Sequence, residues 1–154
     1  RAGTGAAMGD GPRRVVDPAE GVDAIDGATL RAAHRLEVAA EWIERSFGAL
    51  LDAHHAAGHG HEMMLEAAEL LDAAGHGELA ALVRSDAAGR DAAEGRWTYQ
   101  VVDEFRAHLL EPVRRVEERV RNELTGGVRH RDEARTKRDT PGATSTTEVR
   151  LPVD

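Results

Sequence analysis

Four of the chain's eight histidines fall within the eight positions from 54 to 61. On a continuous helix, side chains spaced by three, four or seven residues share a face. An i, i+4 histidine pair can chelate one metal ion from a single helix, and a carboxylate one turn later can add an oxygen ligand. The segment therefore holds a candidate site for a transition metal or a cofactor. Its candidate ligands are His54, His55, His59, His61 and Glu62.

A second, weaker set of candidate ligands lies further along the chain. Glu104 and His108 are four residues apart, and Glu111 follows three residues later on the same helical face. These ligand types resemble those of carboxylate-bridged di-metal bundles. The pattern departs from such sites, because they use Glu-x-x-His twice and this sequence has only the reverse order. Glu104 and His108 are therefore kept as weaker metal ligands, and a di-metal enzyme is not favoured.

The histidine-rich stretch also has simpler interpretations. Histidine, alanine and glycine together are typical of a polar helix face or of a turn. Clustered histidines can also form a pH-responsive interface, because several would gain charge near pH 6. No cofactor is expected on this interpretation. If one is bound, we expect a transition metal held by histidine.

The elements that would position these residues follow a helical period. Apolar residues at alternating spacings of four and three form a seam that ends at His54, the first histidine of the cluster. "GHG" at 58–60 leaves two alternatives open: one helix from about 30 to 74, or two helices that meet at the glycines. Asp26 or Thr29 could cap the start, and Gly75 is a good terminator. The seam consists of Leu36, Ala40, Ile43, Phe47, Leu50 and His54.

A second long helix follows a short one that carries Leu79, Leu82 and Val83. Pro112 should kink or split the long helix, because proline removes one backbone donor. Gly126 and Gly127 should end it. The inward stripe is predicted at Phe105, Leu109, Val113, Val116, Val120 and Leu124.

These patterns predict an all-α fold, either an antiparallel helical bundle or a long helical hairpin with extended N- and C-terminal arms. No strand alternation interrupts the middle of the chain. The predicted organisation is an extended arm over 1–28, a helical core over 29–125, a charged helical or irregular segment over 126–138, and an extended arm over 139–154.

Large apolar side chains are scarce. Aromatic residues make up 3% of the 154 positions, although the hydrophobic fraction is 41%. Such a chain suits narrow helix seams and can need a partner to bury them. Trp, Tyr and Arg are enriched at interface hot spots. We therefore expect the interface residues to be Trp42, Phe47, Leu50, Trp97, Tyr99 and Phe105.

Charge and composition exclude several functions. The net charge of −8 argues against non-specific nucleic-acid binding, although residues 112–138 carry a local basic excess. The absence of cysteine excludes disulfides and thiolate chemistry. No apolar run is long enough for a membrane span and no signal peptide is visible, so we expect a cytoplasmic protein.

Function is narrowed to two classes. No phosphate-binding loop or nucleophile elbow is present, so an enzyme is disfavoured. The first hypothesis is a non-catalytic helical scaffold or assembly protein. It would form homo-oligomers through its apolar seams and bind partner proteins with its arms. The alternative is a histidine-rich metal- or cofactor-binding bundle, for which a redox activity is also considered.

Overall fold

The computed structural model describes residues 16–143, and the prediction of an all-α protein is confirmed for them. Within this range no strand forms, and the only bridge pairs Ala93 with Arg96 across a tight turn. A short 3-10 helix precedes five α-helices, and one π-helical turn joins two of them. The elements are the 3-10 helix Val22–Ala24, α1 Gly27–Ala73, α2 Gly77–Asp86, α3 Thr98–Phe105, the π turn Arg106–Leu110, α4 Glu111–Thr125 and α5 Arg131–Asp139.

Both ends of α1 are closed by side-chain or backbone caps. At the start, Asp26 accepts hydrogen bonds from the backbone N–H groups of Ala28 and Thr29, each at 3.0 Å. These donors would otherwise have no partner in the first turn. At the other end, Gly75 adopts φ +84°, and the N–H of His76 donates back to the carbonyl of Leu71 at 2.8 Å. This Schellman arrangement explains why the helix stops at the residue that the sequence predicts.

The two glycines of "GHG" do not break α1. Of the two alternatives, the structure has the single continuous helix, which runs about 70 Å at 1.5 Å per residue. Each glycine disfavours a helix interior by about 1 kcal/mol relative to alanine. The seam continues beyond them, since His61 is half-buried and Ala68 is fully buried. Packing on both sides therefore outweighs the local preference.

The second long helical segment contains the disruption that proline predicts, in the form of a π turn. The N–H of Glu111 donates to the carbonyl of Arg106, five residues earlier. Pro112 has no N–H, and its ring would crowd the carbonyl four residues before it in a regular α-helix. A wider π turn one step earlier relieves that crowding and inserts one extra residue into the turn.

The extra residue changes which side chains point inward. The predicted stripe placed Leu109, Val116 and Leu124 inside, and this is wrong, because all three are exposed. The residue after each of them is buried instead: Leu110, Glu117 and Thr125. Phe105, before the turn, remains half-buried as predicted. The step from Phe105 to Leu110 is five residues, because the π turn advances the inward register by one.

The described residues belong to two compact units. Among the described residues, the first combines residues 16–34 with residues 121–143. Inside it, Arg131 donates to the carbonyl oxygens of Glu20 and Thr125. Arg138 pairs with Asp23 at 2.9 Å, and this contact raises the pKa of its guanidinium. These bonds hold α5 against the 3-10 helix, whose Val22 is buried.

The predicted domain boundaries stay a prediction, and the structure places its elements among them as follows. Residues 16–26 contain a turn and the 3-10 helix, and α1 already begins at Gly27. The charged segment over 126–138 contains most of α5. The remainder of the two predicted arms, residues 1–15 and 144–154, lies outside the described residues.

The second unit spans residues 35–120. Phe47 of α1 stacks on Phe105 with ring centroids 6.1 Å apart, and Arg106 lies over the Phe47 ring at 5.1 Å. Most buried apolar residues of the described chain are alanines, so few large side chains stabilise the interior. Across residues 16–143, no helix is both long enough and apolar enough to cross a lipid bilayer.

Candidate functional site

An open groove of about 630 Å³ lies along the histidine-rich part of α1, inside the second unit. Three segments form it: the middle of α1, the turn that follows α2, and the start of α3. The walls are predominantly apolar, with histidine, arginine and aromatic side chains at a few positions. The lining residues are His54, Ala57, Gly58, Gly60, His61, Met64, Ala87, Ala88, Arg90, Ala92, Trp97, Thr98 and Tyr99.

The glycines of α1 make room for this groove. A Cβ built on Gly58 or on Gly60 would meet no neighbouring atom within 4 Å. The space above them is therefore open rather than filled by another helix. The groove has a floor of bare backbone, which a ligand or a partner side chain can approach closely.

His54 fastens the start of α3 to α1. Its Nδ1 lies 2.8 Å from the hydroxyl oxygen of Thr98, the first residue of α3. A neutral imidazole offers one donor and one acceptor, so either direction of this hydrogen bond is chemically available. The bond occupies the nitrogen that faces Thr98 and leaves Nε2 as the other donor or acceptor of the ring.

Trp97 and Tyr99 stand on either side of Thr98, and each side chain is more than half exposed. The ring of His61 meets the Trp97 ring edge-on, with centroids 6.0 Å apart. The backbone N–H of Trp97 donates to Oε1 of Gln100 at 2.9 Å, and this hydrogen bond is half of a capping box. This bond fixes the backbone from which both aromatic side chains project.

The remaining histidines of the cluster do not reach the groove. His55 and His59 are exposed on a different face of α1, and His59 lies 3.6 Å from Glu62, which is also exposed. The rings of His54 and His55 are neighbours at 5.5 Å but belong to different faces. The five predicted ligands are thus divided between the groove and the opposite surface.

The weaker candidates lie apart from both sets. Glu104 forms an ion pair with Arg96, and His108 is exposed within the π turn. No three histidine, aspartate or glutamate residues of the described ranges converge in a metal-binding arrangement.

The predicted interface residues fall into two groups. Phe47, Leu50 and Phe105 are half-buried, and the two phenylalanines contact each other inside the chain. Trp42 projects from α1 into solvent, and Arg45 lies over its ring at 4.9 Å. Trp42, Trp97 and Tyr99 are therefore the predicted aromatic residues with surface left for a partner.

Sequence reasoning missed the third wall of the groove. Ala87, Ala88 and Arg90 follow α2, and no periodicity or motif marks them. Thr98 was also missed, because its role depends on a contact 44 residues away in sequence. "GHG" was the available signal, since glycine inside a helix can allow another group to approach the backbone closely.

Comparison with known proteins gives no match: no protein family, no curated protein and no solved structure is significantly similar to this chain.

Proposed function

We propose that this chain is a non-catalytic helical scaffold or assembly protein that self-associates and binds partner proteins. The observation that carries this proposal is the distribution of large apolar side chains. Four buried apolar residues are larger than alanine, whereas twelve large apolar side chains are exposed among residues 16–143. A chain that buries so little large apolar surface by itself gains most by burying it against other chains.

An antiparallel helical hairpin is the architecture that we propose for the second unit. Three side-chain contacts support it: His54 with Thr98, Phe47 with Phe105, and Glu44 with Arg114 at 2.8 Å. Residue numbers on α1 decrease from 54 to 44 while those on the facing segment of the same chain increase from 98 to 114. This is the order expected when two helices run in opposite directions.

The groove is the proposed docking surface for partner proteins. Trp97 and Tyr99 are rigid aromatic side chains at its edge, and both types are enriched among residues that dominate binding energy. The glycine floor accepts an apolar side chain from a partner. The terminal arms, residues 1–28 and 139–154, are proposed as additional partner-binding segments.

Sedimentation equilibrium of the unmodified chain over a wide concentration range tests self-association. The monomer mass is 16.6 kDa. We expect a mass of at least two chains at micromolar concentration, with dissociation on dilution. A mass that stays at one chain up to the highest soluble concentration would overturn the scaffold proposal.

The alternative function is binding of a metal or cofactor in the same groove. One observation favours it: His54 and His61 line one apolar groove two turns apart, beside Trp97. Elemental analysis and an absorption spectrum of protein purified without nickel resin or chelators test it. A stoichiometric metal lost in a His54→Ala/His61→Ala variant, but kept in His55→Ala/His59→Ala, would favour this alternative. Metal-free, colourless protein would exclude a tightly bound metal or chromophore.

A further inference from the structure

The three most exposed large apolar side chains of the described residues lie on one line along α1. Trp42 is 61% exposed, Met63 69% and Leu70 64%. Met63 and Leu70 are one heptad apart, and Trp42 precedes Met63 by three heptads. Positions at alternating steps of four and three between them carry only small residues. We call the whole line the outer stripe: Trp42, Ser46, Ala49, Ala53, Ala56, Gly60, Met63, Ala67 and Leu70.

Apart from Gly60, which also lines the edge of the groove, the outer stripe is separate from the face of α1 that packs inside the chain. At 100° per residue, Met63 points about 160° away from His61, which lies in the groove. Every member of the stripe is exposed except Gly60, which is half-buried. The helix therefore has a second heptad pattern that the fold of a single chain leaves uncovered.

We infer that the outer stripe is the contact between two copies of this chain, paired as an antiparallel coiled coil. The inference rests on the proposed self-associating function and names its partner. The two-fold axis crosses α1 between His54 and His55. In this register each large side chain meets a small one: Trp42 meets Ala67 of the partner subunit, Met63 meets the partner's Ser46, and Leu70 meets the partner's Ala39.

Charge favours the antiparallel direction. From 46 to 73, α1 carries five acidic residues and no lysine or arginine, and its arginines precede this stretch. Beside the stripe, the same register brings Arg45 to Glu66 of the partner subunit and Asp52 to the partner's His59. Symmetry repeats each pair. A parallel, in-register dimer would instead place Arg45 beside Leu50 of the partner subunit and Asp52 beside the partner's Ala57, so neither charged group would gain a partner.

The contact would extend along about two thirds of α1. From Ala39 to Leu70 the helix extends about 47 Å. The intervening alanine, serine and glycine side chains are short, so the two helix axes can approach at the near end of the usual 8–10 Å range. Trp42 and Met63 then fill the spaces over small residues at both ends of the contact.

Sedimentation equilibrium of the full chain and two variants tests the surface. Ala53→Glu puts a carboxylate in the outer stripe next to the two-fold axis, at an exposed position where the monomer fold has room. Ala81→Glu is the matched control, because Ala81 is exposed on α2 and outside the stripe. We expect the unmodified chain and Ala81→Glu to be dimers of twice 16.6 kDa, and Ala53→Glu to be a monomer.

The outcomes separate this inference from the proposed function. A dimer that persists in Ala53→Glu would overturn the outer stripe as the interface and leave self-association in place. A monomeric unmodified chain would overturn both. Equal dissociation of Ala53→Glu and Ala81→Glu would also overturn the assigned surface, since the effect would follow charge rather than position.

Disulfide cross-linking tests the direction of pairing, and the chain contains no native cysteine to interfere. A mixture of Ser46→Cys and Met63→Cys chains should cross-link on mild oxidation, because the two positions face each other. Ser46→Cys alone should not, because its two copies would be about 25 Å apart along the helices, far beyond the roughly 7 Å Cα separation that a disulfide spans. Efficient cross-linking of Ser46→Cys with itself would overturn the antiparallel register.

Discussion

The π turn makes a quantitative prediction about two adjacent leucines. Leu110 is 1% exposed, and Leu109 is 39% exposed. Replacing Leu110 by alanine removes about 2.4 kcal/mol of transfer free energy, at about 0.8 kcal/mol per buried carbon. A residual cavity adds to this, so the expected loss in unfolding free energy is about 3 kcal/mol.

The neighbouring substitution serves as the matched control. Leu109→Ala removes the same atoms, but nearly two fifths of that side chain is already in water and no closed cavity forms. Its expected effect is about 1.5 kcal/mol. Both variants keep helix propensity high, so the difference between them reports burial rather than backbone preference.

Urea denaturation followed by circular dichroism measures both losses. All samples need one protein concentration, because self-association would make stability depend on concentration. For a domain of this size, 1 kcal/mol shifts the melting midpoint by roughly 2–4 °C. Leu110→Ala should therefore melt roughly 6–12 °C lower than the unmodified chain. A loss in Leu109→Ala equal to or larger than that in Leu110→Ala would refute the register shift and the reasoning from the π turn.

Three further expectations concern contacts described above. Thr98→Val removes the hydrogen-bond partner of His54 and should lower the unfolding free energy by about 1 kcal/mol. Tyr99→Phe on the same helix is the control and should leave the unfolding free energy nearly unchanged. Equal effects of the two substitutions in urea denaturation would argue against the hydrogen bond. Arg131→Lys cannot reproduce the hydrogen bonds from the guanidinium to the carbonyl groups of Glu20 and Thr125, so it should lower the unfolding free energy by about 2 kcal/mol. Faster amide hydrogen exchange in α5 would show that this helix has lost stability. Hydrogen bonds from the Thr29 hydroxyl and the Thr29 backbone N–H lower the pKa of Asp26 from its ordinary value of 3.8. The cap therefore contributes its full stability above the unfolded pKa, and that contribution is lost as the pH falls through the lower pKa of the folded state. In melting experiments at different pH, Asp26→Ala should remove this part of the acid transition.

The helices and several of their ends could be predicted from the sequence. Heptad spacing located α1 and the second long helical segment, and Gly75 ended α1 where predicted. These features depend on residues close together in the chain, so local pattern determines them. Whether Gly58 and Gly60 would break the helix depended instead on packing along its whole length, which a local reading does not contain.

The sequence was not sufficient for the inward register after Phe105 or for the groove. A π turn adds one residue without a signature other than the proline that follows it, so Leu109 was predicted where Leu110 lies. The groove needs the turn after α2 to approach α1, and Arg90 carries no pattern that reveals this. The histidine cluster looked like one site because its members are neighbours in sequence, but helix geometry directs His59 and His61 to different faces.

The open floor of the groove has an implication for how this chain could change over evolutionary time. Alanine at Gly58 or at Gly60 would meet no neighbouring atom within 4 Å and would favour the helix by about 1 kcal/mol. A single substitution to alanine at either of these two positions of α1 would therefore increase the stability of the fold. A chain shaped by stability alone would drift toward alanine there, and such a drift would make the groove shallower. Gly58 lines the groove and is not part of the outer stripe. Retention of Gly58 among natural variants would therefore indicate that the groove is under selection for binding.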